Sequence, residues 1–533
     1  MNYRFVFYSI GKLLQILGLI LFVPASIAWF ETSGPFMVRI FSPQLFGFIL
    51  GILLSILVGT LLVMVYRKNR GRIDIREGFA IVTFSWLALT LVGAVPLFVY
   101  FQSTLETSTA GTLFGAFTDA FFEVMSGLTT TGATILTEVE SLPRGILFWR
   151  SLTHWLGGMG IVTLALALFP TFGVAAYQLF RGEVPGPSKE RLRPRLAQTA
   201  IILWGVYALL TFVQTILLMA GNMDLFDAIT HAFATMATGG FSTRNSSIAS
   251  FDSAYIEWIV IVFMILAGTN FLIHYRVIFH SDFTMVKQNR EFHFYLVVMG
   301  IAAVLCIAIL SFKGLQSSDE VQRNFRSDFL TSEQAREKLI VEKDRLTSAH
   351  DVVRQSVFQV VSITTTTGFT TADWDVWPDF ARLMLVILMF FGGSAGSTAG
   401  GLKMIRILVL LKVAFHHAKV MIQPRLVSPV KIGGQVLKES QMSGIISFFI
   451  LFIILFVIAS ALMATMIPDV TTAVTSVVAS LGNIGPGLAG VGALETYSWI
   501  PIPGKWVLIV CMLLGRLEIY TVLIAFSPVS WRK

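Results

Sequence analysis

The chain reads as long apolar runs separated by short polar stretches. Residues 40–66, 78–105, 151–180, 196–223, 292–312 and 440–468 contain no Asp, Glu, Lys or Arg. Each exceeds the roughly 18 apolar residues that mark a membrane-spanning helix. The apolar stretch near 5–30 reads as a further, retained helix, because no small-residue cleavage site and polar mature domain follow it. A second kind of segment interrupts the runs: "DAFFEVMSGL" (119–128), "DAITHAFATM" (227–236), "DVVRQSVFQVVSI" (351–363) and "DVTTAVTSVVASL" (469–481). These are helix-like, open on an aspartate, and are too short and polar to span a bilayer.

Each short segment runs into a stretch rich in threonine or glycine: "TTTGAT" at 129–134, "ATGGFS" at 237–242, "TTTGFT" at 365–370 and "GNIGPG" at 482–487. Aligned on Gly132, Gly240, Gly368 and Gly485, the copies lie 108, 128 and 117 residues apart. The repeating unit is helix, half-helix, loop, helix. The predicted fold is an all-α polytopic membrane protein with two N-terminal helices and four helix–pore-loop–helix repeats in pseudo-fourfold arrangement. That makes ten spanning helices and four re-entrant half-helices. The boundaries expected are 1–76 for the N-terminal helices, then repeats at 77–195, 196–290, 291–440 and 441–533.

Composition agrees with this class. The chain is 55% hydrophobic and 13% charged, against about 25% charged in soluble domains. The net charge of +8 reads as the positive-inside bias of a membrane protein, not as a nucleic-acid surface. Basic loops at 66–76, 181–195, 274–290 and 403–438 are expected on the cytoplasmic side, with both termini. Residues 30–35, 102–110 and 243–256 are expected outside. Residues 313–350 hold seven Lys/Arg and seven Asp/Glu and read as a solvated helical insertion on the outer side, whose deletion is expected to leave uptake largely intact. Cys306 and Cys511 lie in apolar runs as buried thiols. His416 and His417 are adjacent, without metal-ligand spacing, and read as surface residues.

Irregular backbone at membrane depth survives only where it is buried in protein or lines a wet cavity. Four such loops around an axis present carbonyl oxygens that can replace the hydration shell of a monovalent cation. The predicted filter is Thr130, Thr131 and Gly132; Thr238, Gly239 and Gly240; Thr366, Thr367 and Gly368; Asn483, Ile484 and Gly485. The backbone is expected to be extended there, with one tight site near the four glycines. Each half-helix would aim the negative end of its dipole at the cavity below. Glu123 and Asp227 are expected to anchor their half-helices or draw cations to the outer mouth.

A second glycine-rich stretch joins Gly392, Gly393, Ser394, Ala395, Gly396, Ser397, Thr398, Ala399, Gly400 and Gly401 directly after "LMLVILMFF". Each glycine costs a helix roughly 1 kcal/mol against alanine, so an unwound intramembrane loop is expected, placed to block the pore below the filter. Arg516 lies mid-run in "VLIVCMLLGRLEIYTVLIAF". A charge at the bilayer centre costs roughly 2.5–3.5 kcal/mol or more, so Arg516 is expected to meet pore water or the glycine loop's carbonyls, with snorkelling to the cytoplasmic surface as the alternative. No nucleotide-binding GxxxxGK, HExxH or nucleophile elbow is present, so no enzyme is expected, and no organic cofactor.

"FFEVMSGLTTTGAT" (121–134), "HWLGGMGIV" (154–162), "HAFATMATGGFST" (231–243), "FFGGSAGSTAGGLKMIRIL" (390–408), "LGNIGPGL" (481–488) and "LLGRLEIYT" (513–521) resemble the TrkH/TrkG potassium-uptake subunits of bacteria, in the Trk/Ktr/HKT superfamily. The resemblance covers nearly the whole length and departs from the family at 313–350. It implies a homodimer in the bacterial inner membrane, K+ as the transported ion, one pore per subunit, and a cytosolic nucleotide-sensing TrkA-like regulatory partner. Glycine at all four filter positions resembles the potassium type. In related plant HKT transporters, serine at the first of them goes with sodium. A sodium-coupled or sodium-permeable Ktr/HKT-like transporter is the alternative, and the coupling ion stays open.

Overall fold

The computed structural model describes residues 2–67, 75–104, 112–168, 192–324, 332–424, 429–433 and 435–531. Most of the basic loops expected at 66–76 and 181–195, the outward connection at 105–110 and the middle of the insertion, 325–331, lie outside these residues. Helices dominate. The only sheet among the described residues is the hairpin Lys431–Ile432 with Gln435–Val436, paired antiparallel.

Among the described residues, six helices are long and apolar enough to cross a bilayer unbroken: Tyr3–Glu31, Pro43–Tyr66, Arg76–Ser103, Thr199–Ala220, Arg290–Lys313 and Glu439–Ala464. They leave large apolar side chains such as Leu57, Leu61, Met64, Ile201 and Val304 exposed, which suits lipid and not water. The helix Arg144–Leu168 follows the first filter turn. The other post-filter spans are broken. Ala254–Ala267 and Phe271–His280 meet at a 103° bend, and Ile502–Arg516 and Ile519–Phe526 at 111°. Asp379–Leu388 and Met404–Ile422 flank the glycine stretch. An interruption was expected only in the third repeat; the structure places one in the second and fourth as well. In the second, Gly268 ends one helix and Asn270 caps the next, its Oδ1 accepting from Leu272 N at 2.9 Å. In the fourth, Glu518 takes a left-handed φ of 60°.

The pore helices are Leu113–Leu128, Leu225–Met236, Ala349–Thr364 and Val470–Leu481, of 16, 12, 16 and 12 residues. At 1.5 Å per residue they reach roughly 18–24 Å, short of a ~30 Å hydrocarbon core. Each starts at a side-chain cap: Thr112, Asp224, Ser348 in a capping box with Asp351, and Asp469. Such caps satisfy the first free N–H groups.

The charged insertion is solvated on one face only, and docks with the other. Its helix Ser332–Arg345 buries Ala335 and Glu342. Glu342 accepts from Asp373 N and Trp377 Nε1, both at 3.0 Å. Lys338 pairs with Glu495 at 2.8 Å and Asp373 at 3.3 Å, and Arg345 donates to Thr371 O at 3.3 Å. Balanced charge suggested solvation, but several of those charges have their partners on the loop that follows the third filter turn.

Candidate functional site

The four filter turns share one backbone. At the end of the first pore helix, Thr129 N, Thr130 N and Thr131 N donate to the carbonyls of Met125, Gly127 and Ser126. The same three bonds recur from Ala237, Thr238 and Gly239, from Thr365, Thr366 and Thr367, and from Gly482, Asn483 and Ile484. This is a helix C-cap whose second member turns left-handed, a place normally taken by Gly or Asn. Here it is Thr130 (φ 49°), Thr238 (53°), Thr366 (56°) and Asn483 (55°). A β-branched residue at positive φ is an outlier and costs of order 1–3 kcal/mol. Two residues later the filter glycines are again left-handed, at 80°, 81°, 79° and 101°. The expected extended backbone is therefore corrected: left-handed residues alternate along it.

The turns close into a ring. A Cβ built on Gly132 would meet Gly239 O, one on Gly240 would meet Thr367 O, one on Gly368 would meet Ile484 O, and one on Gly485 would meet Thr131 O, each closer than 3.0 Å. Each glycine thus lies against the carbonyl of the residue before the glycine in the next repeat, and the fourth repeat returns to the first. A cavity of about 110 Å³ touches all four glycines and is also lined by Thr134, Arg150, Arg244, Thr370, Glu495 and Tyr497.

Polar side chains within the pore helices hold the strands that leave the ring. Glu123 binds Arg150 Nε at 2.8 Å, Thr134 Oγ1 at 2.9 Å and Ile135 N at 3.0 Å. His231 Nε2 lies 2.8 Å from Ser242 Oγ. Gln359 lies nine residues before its glycine, as Glu123 and His231 do, and bonds Thr371 Oγ1 at 3.1 Å. Asp227 holds Thr243 at 2.7 Å and Arg244 at 2.8 Å. In the fourth repeat Thr475 Oγ1 accepts from Leu488 N at 3.1 Å. Both acidic residues singled out in the sequence are therefore engaged by strand partners.

The glycine stretch 392–401 is a loop, as the missing helix propensity requires, and it touches several repeats. Gly400 N donates to Thr366 Oγ1 at 2.6 Å. Thr398 Oγ1 donates to Met236 O at 2.9 Å, the last residue of the second pore helix. A Cβ on Gly400 would meet Gly482 O and Asn483. Ser394 N bonds Gly268 O at 2.8 Å, a carbonyl freed by the bend in the second repeat. The loop therefore packs against the C-terminal ends of three pore helices.

Arg516 ties in the first repeat. It donates to Thr398 O at 2.6 Å and to Gly157 O at 3.1 Å. It ends its helix, where a cation suits the dipole, and does not lie mid-helix as the continuous apolar run suggested. Glu518 pairs with Arg406 at 2.8 Å. Lys403 Nζ bonds Ala399 O. Sequence reading missed Glu291, whose Oε1 accepts from Ala395 N at 2.7 Å and Ile405 N at 3.1 Å. The available signal was a buried acid opening an otherwise apolar span. His416 and His417 join no metal cluster among the described residues.

The family model TrkH, described as a cation transport protein, matches residues 44–533. The Trk system potassium uptake protein TrkH of Escherichia coli (strain K12) is 38% identical over 534 residues, covering all of both chains. The Trk system potassium uptake protein TrkG of the same strain is 30% identical over 467 residues, 87% of each. The crystal structure of the potassium transporter TrkH from Vibrio parahaemolyticus superposes with a TM-score of 0.82 at 32% identity, over the full length of both chains. A matching family model over nearly the whole chain, full-length relatives named for transport and a shared fold mean that this chain belongs to the TrkH family of cation transport proteins.

Proposed function

We propose that this chain takes up potassium across the bacterial inner membrane through a single-chain pore, with the carbonyls of Thr131, Gly239, Thr367 and Ile484 at its narrowest ring. The observation that carries this reading is the cyclic contact of each filter glycine with the next repeat's carbonyl. Such a ring offers a dehydrated monovalent cation oxygen ligands from four sides. Potassium, and not another cation, is supported by the names of the relatives and by glycine at all four positions.

The loop 392–401 is the gate in this reading. Its contacts with the pore-helix ends, and a 110 Å³ mouth lined by residues that follow the ring, support a place for it below the ring, and Arg516 and Lys403 add positive charge there. The chain works as a homodimer with a cytosolic TrkA-like regulatory subunit, both termini in the cytoplasm. The test is rubidium uptake into liposomes holding the purified protein, with sodium and pH varied separately. Uptake competed by potassium but not by sodium supports the reading. Equal competition by sodium overturns the potassium assignment.

A further inference from the structure

The residues that precede the filter glycines are Thr131, Gly239, Thr367 and Ile484. Three arms of the ring carry a side chain at this position and the second carries none. Two of the three have visible support. Thr131 Oγ1 lies 2.8 Å from Thr129 Oγ1 and accepts from Asn483 Nδ2 at 3.0 Å, and Thr367 Oγ1 lies 2.7 Å from Thr365 Oγ1.

The place left by Gly239 is not empty. A Cβ built there would lie within 3.0 Å of Nδ1, Cγ and Cε1 of His154, and these are its three nearest atoms. Gly239 is not among the residues at positive φ, so the imidazole, not the backbone conformation, bars a side chain. His154 sits on the helix Arg144–Leu168 of the first repeat. The first repeat therefore supplies the volume that the second lacks.

The imidazole is fully buried. It stacks on Phe241, ring centroids 4.1 Å apart and planes 19° apart. One turn earlier, Arg150 lies 4.2 Å from the same Phe241 ring and donates to Ser242 O at 3.2 Å. Arg150 and His154 thus hold the second arm from Gly239 to Ser242. Among the described residues neither ring nitrogen of His154 has a hydrogen-bond partner; the contacts it makes are those of a flat ring that stacks on Phe241 and lies against the bare Cα of Gly239.

We propose that His154 is a specificity-determining positioning residue: it stands in for the side chain that Gly239 lacks and so fixes the Gly239 carbonyl in the ring. This rests on the filter reading above.

The experiment measures rubidium and sodium flux in liposomes for four proteins beside the wild type: Gly132→Ser, His154→Ala, Gly239→Ala and the double variant Gly239→Ala/His154→Ala. Folding is checked by size-exclusion homogeneity. His154→Ala is expected to lower the preference for rubidium over sodium about tenfold, because only part of the cost of the lost ring falls on the Gly239 carbonyl. Gly239→Ala is expected to abolish flux, because its methyl meets the imidazole. The double variant is expected to recover flux and part of the preference, a coupling that distant sites do not show. A folded His154→Ala with wild-type preference overturns the proposal, and so does a double variant no better than Gly239→Ala. Where His154→Ala alone does not fold, the double variant decides by the same criterion. Gly132→Ser separates the two readings. Unchanged preference there overturns the filter itself, whereas changed preference there with a silent His154→Ala overturns only the role of His154.

Discussion

The filter turns and the glycine loop are both irregular backbone, and they are held in different ways. The filter turns are held by the backbone itself: the same three N–H···O=C bonds recur in all four, and buried side chains such as Glu123 and Arg150 secure the strands beyond. The glycine loop beneath has several backbone bonds of its own, yet its position depends on single side chains: Thr366 on Gly400, Glu291 on Ala395, Arg516 on Thr398. The difference teaches that repetition gives rigidity. A turn specified four times over resists change, whereas a loop fastened by a few side chains is released when one lets go.

The largest effect should come from breaking the filter's support. Glu123→Ala leaves Arg150 buried without its carboxylate, and breaking such a pair costs about 3–5 kcal/mol. Denaturant unfolding in detergent should register that loss, and a loss below about 1 kcal/mol would mean the pair behaves as a surface ion pair. Next is Gly132→Ser. Its side chain would press on Gly239 O from a residue at φ 80°. Overpacking of about 1–3 kcal/mol converts to a fall in potassium-over-sodium preference of roughly five- to 150-fold. Flux ratios in liposomes give the answer.

The loop side of the comparison predicts smaller changes. Arg516→Ala removes a charge and two bonds to the loop and its surroundings. Loosening by only ~1 kcal/mol raises the open population roughly fivefold, so initial rubidium flux without any partner should rise while ion preference stays as in the wild type. Deleting 394–398 should act in the same direction. Flux at or below wild type in both would make the loop a packing element.

The smallest effect on transport concerns the outer insertion. Burial pushes the Glu342 carboxyl up from 4.5 to about 7, and Asp375, on the same loop as its partner Asp373, is raised for the same reason. A raised value means that docking is strongest while the group is protonated. The contribution is complete below the ordinary value of 4.5 and gone once pH has risen through about 7. Docking of the helix Ser332–Arg345 should weaken about tenfold between pH 6 and pH 8. Amide exchange at 371–377, corrected for intrinsic rates, should report this, and Glu342→Gln should flatten it. The neighbouring charges are Asp373, Asp375, Lys338 and Arg345, and a slope that survives Glu342→Gln would point to Asp375.

What the sequence determined by itself is what local patterns encode. Apolar run lengths set the membrane class, because a bilayer demands about 20 apolar residues in a helix. Four similarly spaced Gly-containing turns set the repeat, and ten small residues in a row excluded a helix at 392–401. The tertiary structure decided what depends on residues far apart in the chain meeting. The apolar run around Arg516 is continuous in composition, yet it breaks where Glu518 turns left-handed and pairs with Arg406, 112 residues away. Glu291 is an unremarked acid until the fold brings Ala395 and Ile405 to it, and the insertion reads as solvated until Asp373 and Trp377 appear as its partners. Nothing in "THWLGG" states that an imidazole will occupy the space beside Gly239. Periodicity and propensity are properties of neighbours in the chain, whereas close packing is a property of neighbours in space.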